Sequence, residues 1–207
     1  MDQISNRIMS NNIVELIMRS QRGEVDSFGS LVNIYQSKVL GLCLKLTGNR
    51  SDAEDLAQEV FLKSFRSLKG FRLEADFGTW LHRITVNMYL NYKKKNSKVT
   101  IFYIDDPVKT DTGEINREIL DESADPSQEI EEKEDRNVIK QALDSLSPEH
   151  KAVLVLREIE GYSYEEIAQI TQSSLGTVKS RMNRARQALK EKILQTGMTK
   201  AGKGGEI

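Results

Sequence analysis

The sequence predicts an all-α protein built as two small helical domains joined by a flexible acidic linker. Three observations predict it. The 207 residues exceed one average small domain, so two compact units are expected. Only three prolines and few aromatics, with abundant Leu, Ile, Glu, Lys and Arg, favour helices over a sandwich or barrel, and no extended sheet is expected. Apolar residues recur at threes and fours in two blocks, separated by a stretch that loses this period. The expected organisation is a lead-in over 1–24, a domain over 25–97, the linker over 98–135, a second domain over 136–195 and a flexible tail over 196–207.

Net charge is −1, which argues against a nucleic-acid partner only if charge is evenly spread. It is not. Between Asp105 and Asp135 thirteen acids face three bases (Lys109, Arg117, Lys133), a balance of −10; the chain total of −1 then leaves +9 for the rest. A basic remainder interrupted by an acidic connector is compatible with polyanion binding. The lone Cys43, within Val39-Leu40-Gly41-Leu42-Cys43-Leu44, reads as a buried structural thiol. No stretch reaches the roughly 20 apolar residues of a membrane span, and Met1 to Arg22 is too polar for a secretory signal. A soluble cytoplasmic protein without membrane insertion is expected.

In the first domain, Phe28, Leu31, Val32, Tyr35, Val39, Leu42 and Leu46 predict a helix over Val25 to Thr47, ended by Gly48-Asn49. Ser51 and Glu54 have capping-box spacing and predict a second helix to about Phe65, with Ala53, Leu56, Ala57, Val60, Phe61 and Phe65 inward. A break at Lys69-Gly70 and a loop to Gly78 precede a third helix, roughly Thr79 to Lys95. Trp80, Leu81, Ile84 and Met88 face its core, while Arg83, Asn87, Asn91 and Lys94 form a polar, partly basic stripe opposite. The linker gathers acids with Pro107 and Pro126 around one apolar patch, Ile101-Phe102-Tyr103-Ile104.

The second domain opens near Arg136 with a helix carrying Val138, Ile139, Ala142, Leu143 and Leu146. Ser147-Pro148 is an N-cap followed by proline at the first helical position, and Gly161 is placed to stop the helix it begins. Ser163 with Glu166 is a capping box for a short helix with Ile167, Ala168 and Ile170 inward. Thr171-Gln172-Ser173 turn, and Ser174 caps a long helix with Leu175, Val178, Met182, Ala185 and Leu189 inside. Short helix, three-residue turn and long helix make a helix-turn-helix, whose second helix enters the DNA major groove. Thr177, Lys179, Ser180, Arg181, Asn183, Arg184 and Arg186 project from or flank its outer face and suit base edges and phosphates. The bland alternative is a solvated charged face, and the motif alone does not separate a stand-alone regulator from other DNA readers.

Three segments carry a family resemblance. Asp52-Ala53-Glu54-Asp55-Leu56-Ala57-Gln58-Glu59-Val60-Phe61-Leu62-Lys63-Ser64-Phe65 resembles region 2.2 of bacterial RNA polymerase sigma factors. Phe77-Gly78-Thr79-Trp80-Leu81-His82-Arg83-Ile84-Thr85-Val86-Asn87 resembles regions 2.3 and 2.4. Gly176-Thr177-Val178-Lys179-Ser180-Arg181 with Arg184-Ala185-Arg186 resembles region 4.2. The chain is identified on these motifs with the sigma-70 family, in its extracytoplasmic-function (ECF) branch.

The resemblance implies a region 2 bundle and a region 4 helix-turn-helix, and a non-enzymatic role in promoter-specific initiation. It implies that Asp52, Asp55, Gln58, Glu59 and Leu62 dock on the beta-prime clamp helices. Arg83, Asn87, Asn91 and Lys94 would contact the minus-ten element, with Leu73 to Thr79 as the loop that captures a flipped-out base. Phe77, with Phe71 and Tyr89, is either a stacking surface there or core, and Trp80 reads as core. Ser174, Thr177, Lys179, Ser180, Arg181, Asn183 and Arg184 would read the minus-thirty-five element. The implied partners are core RNA polymerase (beta-prime clamp helices and beta flap), promoter DNA and a cognate anti-sigma factor. No catalytic residue, metal ligand or cofactor is expected: the chain holds no nucleophile–base pair and no phosphate-cradling glycine loop, and His82 and His150 are not placed as co-ligands for the acids of Asp52 to Glu59.

Overall fold

The computed structural model describes residues 2–100 and 136–203, with side chains over 12–95 and 136–195, and all described elements are helical. The first half contains α1 (Asp2–Gln21), α2 (Val25–Thr47), α3 (Arg50–Ser67), a 3₁₀ turn (Leu68–Gly70) and α4 (Phe77–Thr100). The second contains α5 (helical over 136–144), α6 (Pro148–Leu154, running into a π turn at Val155–Ile159), α7 (Tyr164–Thr171) and α8 (Leu175–Lys203). From residue 101 to 135 the expected acidic linker lies outside the described residues.

The lead-in is itself a helix. Leu16, buried Ile17 and buried Ser20 turn toward α2, and Gln21 donates to the carbonyls of Leu68 (3.0 Å) and Phe71 (2.8 Å), tying α1 to the turn after α3. Helix α2 has the bounds its periodicity predicts. It ends because Gly48 adopts φ +85, a left-handed conformation that glycine reaches without steric cost, and donates to Leu44 O. Cys43 lies at 0% exposure, and burial pushes its thiol up to about 12.

Helix α3 starts two residues earlier than the Ser51–Glu54 spacing predicts. Asn49 is the cap: its side-chain oxygen accepts from Asp52 N at 2.8 Å and its amide donates to the Asp52 carboxylate at 2.9 Å. Glu54 pairs instead with Arg50 at 2.7 Å. Phe65, expected inside, is 40% exposed and lays its ring against Phe28, with centroids 4.9 Å apart.

Helix α4 begins at Phe77, two residues before the expected Thr79, because Asp76 caps it by accepting from Thr79 N at 3.1 Å. Gly78 makes this approach possible. A Cβ there would lie 2.9 Å from the Asp76 carboxylate and 3.2 Å from the Tyr35 ring. Tyr35, Phe71, Phe77 and Trp80 then form one aromatic cluster with centroid distances of 4.9 to 5.6 Å, each pair adding about 0.5–1.5 kcal/mol beyond simple burial.

In the second half Ser147 caps α6, accepting from His150 N, with Pro148 at its first position. The Ser163–Glu166 capping box is formed reciprocally, at 3.2 and 2.8 Å. Gln172 closes α7 in the left-handed region (φ 51), and α8 folds back so that Val178, Met182 and Ala185 are buried against α6 and α7. On α5, Ala142 and Leu146 are buried, whereas Ile139 is 46% exposed. Helix α8 runs on to Lys203, past Thr196 where a flexible tail is expected. Adding a residue to an existing helix costs far less than nucleating one, and no proline intervenes.

The two halves are packed together. Helix α4 touches α6 and α7, α2 touches α6, and the buried residues of both halves belong to one hydrophobic cluster.

Candidate polymerase and promoter interface

Three exposed faces emerge from this packing, each opposite a buried stripe. On α3, Ala53, Leu56, Ala57 and Val60 are buried; Asp55, Gln58, Glu59 and Leu62 are exposed and Asp52 is half-buried beneath its Asn49 contacts. Leu62 is 52% exposed, an apolar side chain beside acids, a composition suited to a protein partner with a basic and apolar surface.

On α4, Leu81, Thr85, Val86 and Tyr89 are buried, while Arg83, Asn91 and Lys94 are exposed and Asn87 is half-buried on the opposite side. The loop before it places Arg72, Leu73, Glu74 and Ala75 in solvent, and Leu73 adopts φ 60, a strained region for a leucine. Beside this loop opens a cleft of about 160 Å³, walled by Arg72, Glu74, Thr79, Trp80 and Arg83. Phe77 is not an exposed stacking surface: at 3% exposure it is a core ring, as are Phe71 at 7% and Tyr89 at 2%. Phe71 and Trp80, the latter 6% exposed, nevertheless both line the cleft.

On α8, Ser174, Thr177, Lys179, Ser180, Asn183 and Arg184 are exposed and Arg181 is half-buried. Ser174 Oγ accepts from Thr177 N at 3.1 Å and shares a hydrogen bond with the Thr177 hydroxyl at 2.8 Å, so the cap fixes the first turn of the reader. Arg186 is bound to Glu158 at 2.7 Å, which braces α8 on the π turn. Helix α1, absent from the expected site and fold, carried a signal in Ile13, Leu16, Ile17 and Ser20, a spacing of threes and fours.

Comparison with known proteins agrees with this geometry. The model "Sigma-70 region 2" matches residues 31–99 and "Sigma-70, region 4" matches residues 136–189. The ECF RNA polymerase sigma-E factor of Haemophilus influenzae is 36% identical over 181 residues, covering 86% of this chain and 93% of that protein. The ECF sigma factor SigW of Bacillus subtilis is 32% identical, covering 89% and 98%. Among solved structures, the sigma factor RpoE of Bartonella quintana in complex with the anti-sigma factor NepR shares the fold, with TM-score 0.60 and 23% identity over 81% of this chain and 96% of that one. CnrH in complex with the cytosolic domain of CnrY does so at TM-score 0.55 and 21% identity, over 85% and 93%.

The fold and its three faces therefore define a sigma-70-type specificity subunit, and the chain belongs to the ECF family of these sigma factors. It is a non-catalytic subunit that binds RNA polymerase and directs transcription initiation at promoters. Among the described residues no helix is long and apolar enough to cross a membrane.

Proposed function

We propose a division of this activity among the three faces. The exposed side of α3, Asp52, Asp55, Gln58, Glu59 and Leu62, grips the beta-prime clamp helices, and the second half meets the beta flap. Arg83, Asn87, Asn91 and Lys94 on α4 hold the non-template strand of the minus-ten element, with one extruded base in the Arg72–Trp80–Arg83 cleft. The phosphates are met by Arg83 and Lys94, and the lost stacking is offset by the cleft wall. Ser174, Thr177, Lys179, Ser180, Arg181, Asn183 and Arg184 read the minus-thirty-five duplex. The functional units span 25–97 and 136–195. The protein works in the cytoplasm, and an anti-sigma factor restrains it by covering the α3 face.

The observation that supports this reading best is the polar face of α4: Arg83, Asn91 and Lys94 stay exposed although Leu81, Thr85, Val86 and Tyr89 beside them are buried. Core enzyme plus this chain should start transcripts at specific promoters, and gel shifts should show promoter binding only when core is present. Tight duplex binding without core would instead mark a stand-alone regulator. Arg184→Ala should cost about 1–3 kcal/mol in minus-thirty-five recognition, read as relaxed base preference at one position of a promoter library.

A further inference from the structure

Helix α1 ends at Gln21, ahead of the residues 31–99 that Sigma-70 region 2 matches, yet it reaches the loop that lines the base-capture cleft. Its last turn is held firmly. Ile17 and Ser20 are buried, at 1% and 5% exposure, and Gly23 (φ +101) reverses the chain so that Arg19 pairs with Glu24 at 2.7 Å. Glu24 in turn accepts from Ser27 of α2 at 3.2 Å. From this fixed turn half-buried Gln21 extends to the 3₁₀ turn after α3.

There its Nε2 donates to Leu68 O at 3.0 Å and to Phe71 O at 2.8 Å. A primary amide nitrogen has two N–H groups, and this fork uses both. Phe71 N closes the turn on Leu68 O at 3.0 Å, and Phe71 itself is extended (φ −77, ψ 120), so no continuing helix supplies a donor for its carbonyl; Gln21 does. Phe71 opens the exposed loop 72–76, and Phe71, Arg72, Glu74 and Ala75 line the cleft with Trp80 and Arg83. Asp76 ties the other end of the loop by capping α4, and between the two ties Leu73 is held at φ 60. Such a conformation persists only where its surroundings over-determine it, and a short loop anchored at both ends is such a place.

We infer that Gln21 is a positioning residue for minus-ten base selection: its amide fork sets where the Phe71 wall of the cleft stands, and so which base fits. This rests on the assignment of the cleft to an extruded base of the non-template strand. A site that discriminates between bases holds its contacts to within about 0.5 Å, so a shift of the Phe71 carbonyl alters selection although Gln21 touches no DNA. Helix α1 thereby becomes part of the promoter reader, acting through the loop.

The test uses holoenzyme reconstituted from core and the full chain, on a promoter library randomised across the minus-ten element, with the initiating templates sequenced to give base preference position by position. Gln21→Glu keeps the shape but sets carboxylate oxygens against two carbonyls, and Gln21→Leu removes both donors. Each should lower the preference at one position of the element several-fold, leaving the other positions, the minus-thirty-five preference and the affinity for core unchanged. Gln21→Lys, which restores donors on a chain long enough to reach, should recover most of that preference. An unchanged preference in Gln21→Glu and Gln21→Leu, an equal loss at all positions together with weaker core binding, or no recovery in Gln21→Lys would each overturn the inference. Arg83→Ala separates this failure from failure of the minus-ten reading. If Arg83→Ala shifts the preference and the Gln21 variants do not, the fork alone is discarded; if neither shifts it, the cleft assignment falls and the role of Gln21 with it.

Discussion

At the scale of single residues, two buried ionisable groups set the chemistry of the joint between the halves. His82 is 7% exposed, and burial holds its imidazole below the ordinary 6.5. Glu160 and Asp76 pull the other way, Lys38 and Lys45 add to the depression, and the Tyr162 hydroxyl meets Nδ1. An exposed histidine takes up a proton below 6.5 that the buried ring refuses. The contribution to stability is therefore complete above that pH and is lost as pH falls from 6.5 toward the depressed value. Thermal unfolding followed between pH 7.5 and about 5 should show a falling midpoint that His82→Gln flattens. Lys151 is 3% exposed and its ammonium rests on Asp144 at 2.6 Å, with burial pushing it below the ordinary lysine range. Asp144→Ala should destabilise the chain by about 1–3 kcal/mol, since it strands a buried charge, while Lys151→Met should cost less because Asp144 reaches solvent. Urea titration of the two variants reads the difference.

At the scale of elements, the caps account for where helices start and stop. The Ser163–Glu166 box is complete, and the hydrogen bonds from the Ser163 backbone hold the Glu166 carboxyl below its usual range. Ser163→Ala removes the acceptor for Glu166 N and should cost about 1 kcal/mol, measured by chemical denaturation. Because α7 carries the reader helix α8 on its far end, the same variant should weaken promoter binding by holoenzyme more than it weakens core binding. The start of α3 shows how a spacing rule misleads. Ser51 and Glu54 fit a capping box, but Asn49 two residues earlier supplies both an acceptor and a donor to Asp52, and the helix begins there. Asn and Asp lead serine only slightly as caps, so the choice falls to the left-handed exit at Gly48, which aims Asn49 along α3.

At the scale of the whole molecule, the joint between the halves is tight enough to be tested by one methyl group. Gly48 has φ +85, and a Cβ there would lie 2.7 Å from the Asp144 carboxylate, which Lys151 holds in place. Gly48→Ala should destabilise the chain by about 1–2 kcal/mol through backbone strain, measured by chemical denaturation. This joint also explains why a chain whose charge is concentrated in its connector can pack its two basic halves together: among the described residues the contact is made by apolar side chains, the Tyr162–His82 hydrogen bond and the Lys45–Glu160 pair rather than by the basic faces themselves.

Local rules made much of this legible in advance. The period of apolar residues marks α2 and the inward face of α8, the Ser163 box marks α7, and the residue types along three motifs mark the faces proposed to meet polymerase and DNA. These are properties of one helix or one turn, and neighbours in sequence decide them. What required the fold was everything set by residues far apart along the chain: that Phe77 is a core ring because Tyr35 and Phe71 close over it, that Phe65 lies at a rim beside Phe28, that α1 is held by carbonyls 47 and 50 residues away, and that Tyr162 finds His82 across 80 residues. A periodic pattern says which side of a helix avoids water; it does not say which surface covers that side, because burial is non-directional and any apolar partner satisfies it.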